Sequence, residues 1–478
     1  MSRRFYITTA IPYVNSRPHL GFALELVQAD VLARYHRLVG DAVRLQTGTD
    51  ENAFKNVLAA RAQGVSTRAL VDDNAAFFRR LAESLNVSHD HFIRTADAGH
   101  ARAVRRLWRN LTPGDLYRRR YTGLYCVGCE DFLLERDLVN GRCPDHNAPP
   151  ASVNEENWFF RLSAYQSKLE SLIGKGQIAI LPESRRNEVL SFIRNGLLDI
   201  SVSRPADRCG GWGIHVPDDD GQIVYVWIDA LVNYISGIGY GRDEDWRTWW
   251  TPESVTTHVI GKNVWKFHAV YWPALLLSAR LPPPDRIVVH GFLTENGRKI
   301  SKSAGASINP SDCINSYGAD GVRYYLLRAV SPFEDGDVSL DRLRDLYNAD
   351  LANGLGNLVS RLQALGNRTG GWRSDLPLPG PAPEGYHSAL AACEFDHALR
   401  QLWCSVAQLN QDIERVRPWQ ALRDGNSEAV LGDIERWRTA LNTTAHWLEP
   451  FLPQTSRLVR RRLSTLDAAA EPLFPRLK

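Results

Sequence analysis

Short apolar runs alternate with helix-like periodic segments through the first 115 residues of the chain. The pattern predicts strands at residues 5–9 and 42–46, a helix at Leu20–Leu38, and further helices near 51–63 and 66–85. Parallel strands need a crossover between them, and a helix is the usual crossover. The alternation is therefore typical of an α/β fold with a doubly wound parallel sheet.

The alternation stops between about residues 116 and 205, where short strand patterns surround a cysteine-rich loop. Apolar segments resume at 224–235, 258–262 and 287–292. A sheet whose two halves are separated by an inserted subdomain accounts for this order.

From about residue 341 the hydrophobic positions follow a helical period, with segments near 343–366, 386–415 and 427–448. A stretch rich in proline and glycine, at 376–385, separates the first two segments. Strand patterns are absent after about residue 330. The sequence therefore predicts a C-terminal α-helical bundle beside the sheet domain.

Composition sets the broad class of the protein. A chain of 478 residues can form about two to four domains, and 44% hydrophobic with 23% charged residues is ordinary for a globular protein. The net charge of +3 is too small to indicate nucleic acid as a partner. No apolar run approaches the roughly 18 residues that cross a bilayer, and a signal-peptide pattern is missing, so we expect a cytoplasmic protein without a membrane partner.

Three of the seven cysteines lie in one short window, which favours a metal site over disulfides. Cys126 and Cys129 form a CxxC pair, and Cys143 and His146 form a CxxH pair after 13 intervening residues. Two such pairs can converge on one tetrahedral Zn²⁺ and leave no open position. The spacing predicts one structural zinc ion, against the alternative of a coincidental cluster in a reduced protein.

Residues 10–22, AIPYVNSRPHLGF, connect the first predicted strand to the first predicted helix. His19 and Gly21 would lie at the helix N-terminus, where unpaired N–H groups and the helix dipole attract an anion. Gly21 would also let a flat ligand approach the backbone. Taken alone, the segment favours an ordinary strand-turn-helix, of which α/β proteins contain many.

The loop at 299–303, KISKS, is a second candidate for binding phosphate. Its side chains can neutralise a triphosphate and donate hydrogen bonds to it; they are Lys299, Ser301, Lys302 and Ser303. A solvated basic loop is the alternative interpretation of these residues.

The HLG at 19–21 and the KISKS at 299–303 resemble the HIGH and KMSKS signatures of class I aminoacyl-tRNA synthetases. Other segments resemble the methionyl-tRNA synthetase family in its order and spacing, over nearly the whole chain. They are AIPYVNSRPHLG, TGTDE, YCVGC, NWFFRLSAY, VYVWIDALVNY, FHAVYWPALLLSA and NADLANGLGNLVSR.

This resemblance implies which residues bind the substrates of an ATP-dependent ligase that joins L-methionine to tRNA(Met). Asp50 would pair with the methionine ammonium, and the side chain would be surrounded by Ile11, Tyr13, Trp227, Ala230, Leu231, Tyr234 and His268. ATP, with Mg²⁺, would be bound by His19, Gly21, Gly261, Asn263, Lys299, Ser301, Lys302 and Ser303. Of these, the family pattern implies catalytic roles for His19, Gly21, Lys299 and Lys302. The CAU anticodon would be read by Asn357, Arg361 and Trp419.

The resemblance also implies a division into domains. The expected parts are the first half of a Rossmann-type catalytic domain at 1–115, an inserted zinc-knuckle subdomain at 116–205, the second catalytic half at 206–290, a KISKS-loop stem-contact region at 291–345, and an anticodon-binding helical domain at 346–478. The chain ends soon after that bundle, without the extra domain by which some family members dimerise. A monomer is therefore expected.

Four residues depart from the family pattern on the ATP side of the expected site. Phe22 stands at the second histidine of HIGH, Asn52 and Ala53 replace the last two residues of DEHG, and Asn263 replaces the aspartate of GKD. Losing one transition-state donor typically costs about 10²–10³ in rate. The sequence favours a working but divergent synthetase, against a ligase that charges a non-tRNA acceptor or a non-catalytic tRNA-binding protein.

Overall fold

The computed structural model describes residues 3–144, 147–300, 308–372, 374–466 and 471–477. Its strands are β1 Arg4–Thr9, β2 Ala42–Thr49, β3 His91–Arg94, β4 Leu116–Cys126, β5 Asp131–Leu133, β6 Ala151–Phe160, β7 Ala179–Leu181, β8 Ile200–Ser201, β9 Ser203–Pro205, β10 His215–Val216, β11 Asp219–Val224, β12 Ser254–Gly261, β13 Arg286–His290, β14 Leu293–Glu295, β15 Arg298–Lys299 and β16 Gly336–Asp337.

The α-helices are α1 Leu20–Leu38, α2 Phe54–Gln63, α3 Thr67–Ser84, α4 Ala98–Asn110, α5 Gln166–Gly174, α6 Glu183–Arg194, α7 Val226–Leu231, α8 Asn233–Ser236, α9 Trp246–Trp249, α10 Trp272–Ser278, α11 Pro310–Arg328, α12 Leu340–Leu346, α13 Asn357–Arg368, α14 Tyr386–Ala391, α15 Phe395–Val416, α16 Pro418–Arg423, α17 Glu428–Leu448 and α18 Pro453–Ser464. Two π-helical segments, Phe267–Tyr271 and Tyr347–Gly356, precede α10 and α13. None of these described helices combines the length and apolarity needed to cross a lipid bilayer.

The chain forms two compact units. The first contains Met1–Pro18, Asp41–Arg80 and His89–Val289, and the second contains His19–Gly40, Leu81–Ser88 and His290–Lys478.

A six-stranded sheet with the order β3-β2-β1-β12-β13-β7 is the centre of the first unit. β1 pairs in parallel with both β2 and β12, so the two halves of the sheet join at β1 and β12 although a long insertion separates them in sequence. The predicted α/β fold with a doubly wound parallel sheet is confirmed. Because the strand order runs outward from this pair in both directions, the crevice at the carboxyl ends of β1 and β12 is the expected place for ligands.

The insertion has its own four-stranded sheet with the order β5-β4-β6-β8, in which β4 and β6 form a long antiparallel hairpin. One short segment expected within the insertion lies elsewhere: β7 pairs in parallel with β13 at the edge of the large sheet. Three residues are too few to show a strand period, so the sequence pattern missed this pairing. The proposed domain boundaries remain predictions.

The second unit is mainly helical, as predicted. The helices agree with the predicted segments except that the segment near 386–415 is broken into α14 and α15, where Cys393 has a φ of 60°. The prediction that strands end at about residue 330 was wrong, because β16 pairs in parallel with β14. That pairing involves only two residues, which have no detectable period.

A buried ion pair joins two helices of the second unit. Arg323 on α11 bonds Asp30 on α1 at 2.7 Å, and both side chains are fully buried. Arg323 also donates to the carbonyl oxygen of Phe451 at 2.7 Å. Because the partners are numerous, the buried guanidinium is compensated, and the pair fixes α1 within this unit.

Candidate functional site

Two segments that follow parallel strands are hydrogen-bonded to each other in the first unit. Tyr13, after β1, forms an isolated parallel bridge with Asp50, after β2. The Asp50 N–H donates to the carbonyl oxygen of Pro12 at 2.9 Å. The adjacent strands therefore bring the predicted methionine residues Tyr13 and Asp50 together at the carboxyl edge of the sheet, where Ile11 is also half-buried.

Asp50 carries a buried carboxylate with unused bonding capacity. Its side chain is 1% exposed, and its Oδ1 atom has no hydrogen-bond partner among the described residues. Burial, reinforced by the carboxylates of Asp229 and Glu130, raises the pKa of Asp50 well above its usual range. A cationic ligand at Oδ1 would relieve this cost and stabilise the ionised carboxylate.

Two carboxylates close to Asp50, those of Glu51 and Asp229, are compensated by hydrogen bonds from the protein. Glu51 accepts two hydrogen bonds from Arg94, both at 2.7 Å. Asp229 accepts from His100 and from the Asn52 amide, each at 2.7 Å. Within the part of the chain that the structure describes, the Asp50 carboxylate differs from both of these because no arginine, lysine or histidine bonds it, and its Oδ1 atom has no hydrogen-bond partner.

Asn52, one of the departures from the family pattern, has a defined structural role. Its amide donates to Asp229 and, at 3.1 Å, to the carbonyl oxygen of Thr95. Each hydrogen of the Asn52 amide group thus has an acceptor, so asparagine satisfies its donor capacity at this position.

Aromatic rings form a wall near Asp50. Trp227 stacks on Phe267 with ring centroids 3.9 Å apart and planes 4° apart, and Tyr13 meets Trp227 at 5.8 Å. The predicted residues Ala230 and Leu231 are buried on α7, the helix that carries Trp227. Phe267 was not among the predicted site residues, although it immediately precedes the predicted His268.

Tyr234 and His268 are in contact and both are buried. The Tyr234 hydroxyl lies 2.6 Å from Nε2 of His268, whose Nδ1 lies 2.9 Å from the carbonyl oxygen of Val264. A carbonyl can only accept, so Nδ1 carries the hydrogen and Nε2 accepts from Tyr234. Burial lowers the pKa of His268 to about 4, so its ring is neutral at pH 7.

The Tyr234 ring is also fixed from the side of the sheet. His258 on β12 stacks on it at 4.0 Å and meets the hydroxyl of Thr8 on β1 at 2.7 Å. The Tyr6 hydroxyl donates to the Tyr234 carbonyl at 2.8 Å. The central strands thus position the ring directly.

The predicted ATP-binding residues Gly261 and Asn263 lie at the carboxyl end of β12. Gly261 is the last residue of the strand, and its carbonyl accepts a turn hydrogen bond from Val264 at 3.2 Å. Asn263 is exposed within that turn. This is the same end of the sheet that carries Tyr13 and Asp50.

His19 is the N-cap residue of α1 in the second unit. Its Nδ1 accepts from the Gly21 N–H at 3.1 Å. A Cβ on residue 21 would lie 2.9 Å from the imidazole ring, so a larger residue there would force the His19 side chain to shift. The predicted placement of His19 and Gly21 at a helix N-terminus is confirmed. Phe22, which departs from the family pattern, is 6% exposed and packed in the interior.

The KISKS loop is described only at its beginning. Lys299 belongs to β15, which pairs with β14 through Thr294, and the Ile300 N–H donates to the carbonyl of Leu293 at 3.1 Å. Ser301, Lys302 and Ser303 lie outside the described residues, so their roles stay predictions.

The predicted zinc ligands Cys126, Cys129 and Cys143 converge. Their sulfur atoms all lie within 4.8 Å of one another, and Cys129 and Cys143 approach to 3.5 Å. Thiolates about 2.3 Å from one tetrahedral zinc lie roughly 3.8 Å apart, so the cluster fits this ion. The Cys129 N–H also points to the Cys126 sulfur at 3.4 Å. His146, the expected fourth ligand, lies outside the described residues.

Two of the three predicted anticodon residues meet in the second unit. The Arg361 guanidinium lies 5.5 Å from the ring centroid of Trp419 and bonds Glu414 at 2.7 Å. Asn357 is exposed one turn earlier on the same helix, α13, and therefore on the same face as Arg361.

Comparisons with known proteins identify the family of the chain. The family model described as tRNA synthetases class I (M) matches residues 5–153 and 146–363. The methionine–tRNA ligase of Thermotoga maritima is 39% identical over 96% of this chain and 75% of its own length. That of Brucella suis is 40% identical over 95% of this chain and 91% of its own length. The structure of Mycobacterium tuberculosis methionyl-tRNA synthetase in complex with methionyl-adenylate superposes with a TM-score of 0.88 and 35% identity, covering 99% of this chain and 100% of that one.

Proposed function

The chain belongs to the class I tRNA synthetases (M), and we propose that it is a methionine–tRNA ligase that activates L-methionine with ATP and transfers it to tRNA(Met). The reaction first joins the methionine carboxylate to the α-phosphate of ATP and releases pyrophosphate. A hydroxyl of the terminal adenosine of the tRNA then displaces AMP from the mixed anhydride.

The unpartnered oxygen of Asp50 is the observation that carries this proposal. It offers a buried negative charge for the substrate ammonium, beside the aromatic surface of Tyr13 and Trp227. A thioether is polarizable and packs well against such rings. An amino acid with a soft, uncharged side chain is therefore the ligand that this pocket suits.

The neutral state of His268 supports the same substrate. With Nδ1 bonded to the Val264 carbonyl and Nε2 bonded to Tyr234, the ring carries no charge that would favour an acidic side chain. Ile11, Ala230 and Leu231 complete the proposed surroundings of the methionine side chain without adding charge.

Binding and orientation of ATP, which would enter with Mg²⁺, are proposed for the signature residues. His19 and the N–H groups of the α1 N-terminus suit the phosphates, where negative charge is favoured by the helix dipole. Lys299, Ser301, Lys302 and Ser303 would stabilise charge as it moves onto the pyrophosphate. Gly261 and Asn263 would adjoin the ribose. Catalysis would then consist mainly of positioning and charge stabilisation.

The cysteine cluster would hold one zinc ion, with His146 as the fourth ligand. A four-coordinate site without an open position stabilises the fold around it, so the zinc would hold the inserted loop rather than act on substrate.

The helical region would bind the anticodon through Asn357, Arg361 and Trp419. An amide, a guanidinium and an indole can hydrogen-bond to unpaired bases and stack on them. We propose a monomeric cytoplasmic enzyme, which size-exclusion chromatography and cell fractionation can test.

Methionine-dependent exchange of pyrophosphate into ATP tests the activity directly, with each of the twenty amino acids supplied in turn. We expect exchange with methionine and charging of a tRNA that bears a CAU anticodon. Exchange without charging would indicate a non-tRNA acceptor. Absence of exchange with all twenty amino acids, from protein that still binds the tRNA, would establish the non-catalytic alternative.

A further inference from the structure

Glu130 is a buried carboxylate outside the set of predicted site residues. It directly follows Cys129 in the cysteine loop, and its side chain is 1% exposed. Its Oε1 atom accepts a hydrogen bond from the main-chain N–H of Lys55 at 2.8 Å. Lys55 is the second residue of α2. A side chain of the insertion therefore bonds the first turn of a helix that follows strand β2 of the large sheet.

This bond supplies a helix cap that the local sequence lacks. The N-cap residue of α2 is Ala53, which makes no side-chain capping bond. Free N–H groups in the first turn need an acceptor, and a carboxylate there also interacts favourably with the helix dipole. Glu130 therefore takes the part that a local serine or aspartate plays in most helices.

The capped helix directly follows the segment that carries the ammonium-binding site. Residues 50–53 connect β2 to α2, and they contain both Asp50 and Asn52. The segment is therefore held at two points. At its start, Asp50 is bridged to Tyr13, and at its end the chain enters the first turn of α2.

The same turn of the cysteine loop contacts the aromatic wall. The indole N–H of Trp227 donates to the carbonyl oxygen of Cys129 at 3.3 Å. Residues 129 and 130 therefore contact both sides of the proposed methionine pocket, the ring of Trp227 and the segment next to Asp50.

The backbone of Glu130 reinforces this interpretation. Its φ is 54°, in the left-handed region that disfavours a residue with a Cβ. Glycine would adopt this conformation without strain. Strained residues of this kind persist where surrounding contacts hold them, and they concentrate at functional sites.

We propose that Glu130 is a positioning residue for methionine recognition, which caps α2 from the cysteine loop and thereby fixes Asp50 against the substrate ammonium. Glu130 does not itself touch the reacting atoms. The inference rests on the proposed function, since it concerns how the same enzyme holds its amino acid.

Three variants test this role: Glu130→Ala, Glu130→Gln and, as a matched control, Glu135→Ala. Alanine removes the cap, whereas glutamine keeps an acceptor oxygen at the same reach. Glu135 is an exposed carboxylate of the same insertion. The measurements are the KM values for methionine and ATP in pyrophosphate exchange, kcat, the thermal midpoint, and methionine binding by calorimetry without ATP.

We expect Glu130→Ala to raise the methionine KM and its calorimetric Kd at least about fivefold, the order of effect that loss of one helix cap produces. The ATP KM should change less than twofold, and Glu130→Gln should recover most of the loss. Glu135→Ala should match the wild type.

Two results would overturn the inference. The first is an unchanged methionine KM in Glu130→Ala. The second is a parallel rise of the KM values for methionine and ATP, with a lowered thermal midpoint and no recovery in Glu130→Gln. That second result would indicate general destabilisation of the protein. If the wild-type protein itself shows neither exchange nor methionine binding, the proposed function fails first, which the wild-type measurement reveals separately.

Discussion

The hydroxyl of Tyr234 donates to Nε2 of His268 over 2.6 Å, so the proton on the imidazole must reside on Nδ1. Protonation of Nε2 would reverse this hydrogen bond, with the Tyr234 hydroxyl as acceptor, and would place a positive charge in a buried site. The lowered pKa of His268, about 4, is the consequence of that burial. The His268 side of the proposed pocket therefore stays neutral over the physiological range of pH.

This lowered pKa predicts how stability depends on pH. The unfolded chain binds a proton at His268 near pH 6.5, whereas the folded chain binds it near pH 4. Between these values the unfolded state carries more protons, so the free energy of unfolding falls as the pH falls, by about 3 kcal/mol for this group in all. His268→Gln should flatten the decline in urea titrations between pH 7 and 4. The exposed His397→Gln should not, and equal slopes in the two variants would contradict the assignment.

Asp50→Asn should separate activity from stability. The substitution keeps the shape of the side chain but removes an uncompensated buried charge, so the thermal midpoint should stay or rise. The methionine-dependent exchange should fall at least about 100-fold, because the ammonium loses its partner. Glu51→Gln is the matched control: it breaks the bond pair with Arg94 and should lower the thermal midpoint instead. Retained exchange in Asp50→Asn would refute the ammonium assignment.

Removal of one cysteine of the cluster should remove the metal. Cys129→Ser is expected to lose bound zinc, measured by elemental analysis, and to lower the thermal midpoint, because the inserted loop depends on the ion. Cys404→Ser alters an exposed cysteine outside the cluster and should retain one zinc per chain. The absence of zinc from the wild-type protein purified without chelators would contradict the site.

Substitution of a predicted anticodon-binding residue should weaken the charging of tRNA but leave the activation of methionine unchanged. Trp419→Ala removes a ring for stacking, which is worth about 1–3 kcal/mol per base. The KM for tRNA should therefore rise roughly 5- to 150-fold, while methionine-dependent exchange stays unchanged. Arg415→Gln, an exposed arginine on α15, provides the control. An equal rise of the KM for tRNA in the two variants would contradict a specific role of Trp419 in anticodon binding.

Phe22→His, which restores the second histidine of the HIGH pattern, should not raise the rate of pyrophosphate exchange. Because Phe22 is almost completely buried, an imidazole in its place would bury a polar ring in a packed interior. We expect a lower thermal midpoint and an exchange rate no higher than that of the wild type. A faster rate would show instead that the missing histidine limits the chemistry.

Patterns of repeat and spacing predicted the large features of the fold. The alternation of β1, α1 and β2 indicated the parallel sheet, and the spacing of Cys126, Cys129 and Cys143 indicated the cluster. Both signals lie within short stretches of chain, so local sequence carries them. β7 and β16 were missed because two or three residues have no period.

The contacts that complete the site could not be predicted in the same way. Glu130 bonds Lys55, which lies far away in the sequence, and Phe267 stacks on Trp227 from another helix. Asn52 stands where the DEHG pattern has a histidine, yet its amide donates a hydrogen bond to Asp229. Such partners are determined by tertiary packing, which neither propensity nor spacing records.

The pairing of Thr8 with His258 at the centre of the large sheet also constrains the order of folding. During synthesis at roughly 5–20 residues per second, β1 would wait on the order of tens of seconds for β12 to leave the ribosome. Until then one edge of β1 has no strand to pair with, and such edges promote aggregation. We therefore expect the nascent first half to depend on chaperones until the second half arrives, whereas the inserted hairpin β4–β6 can form from residues that emerge close together.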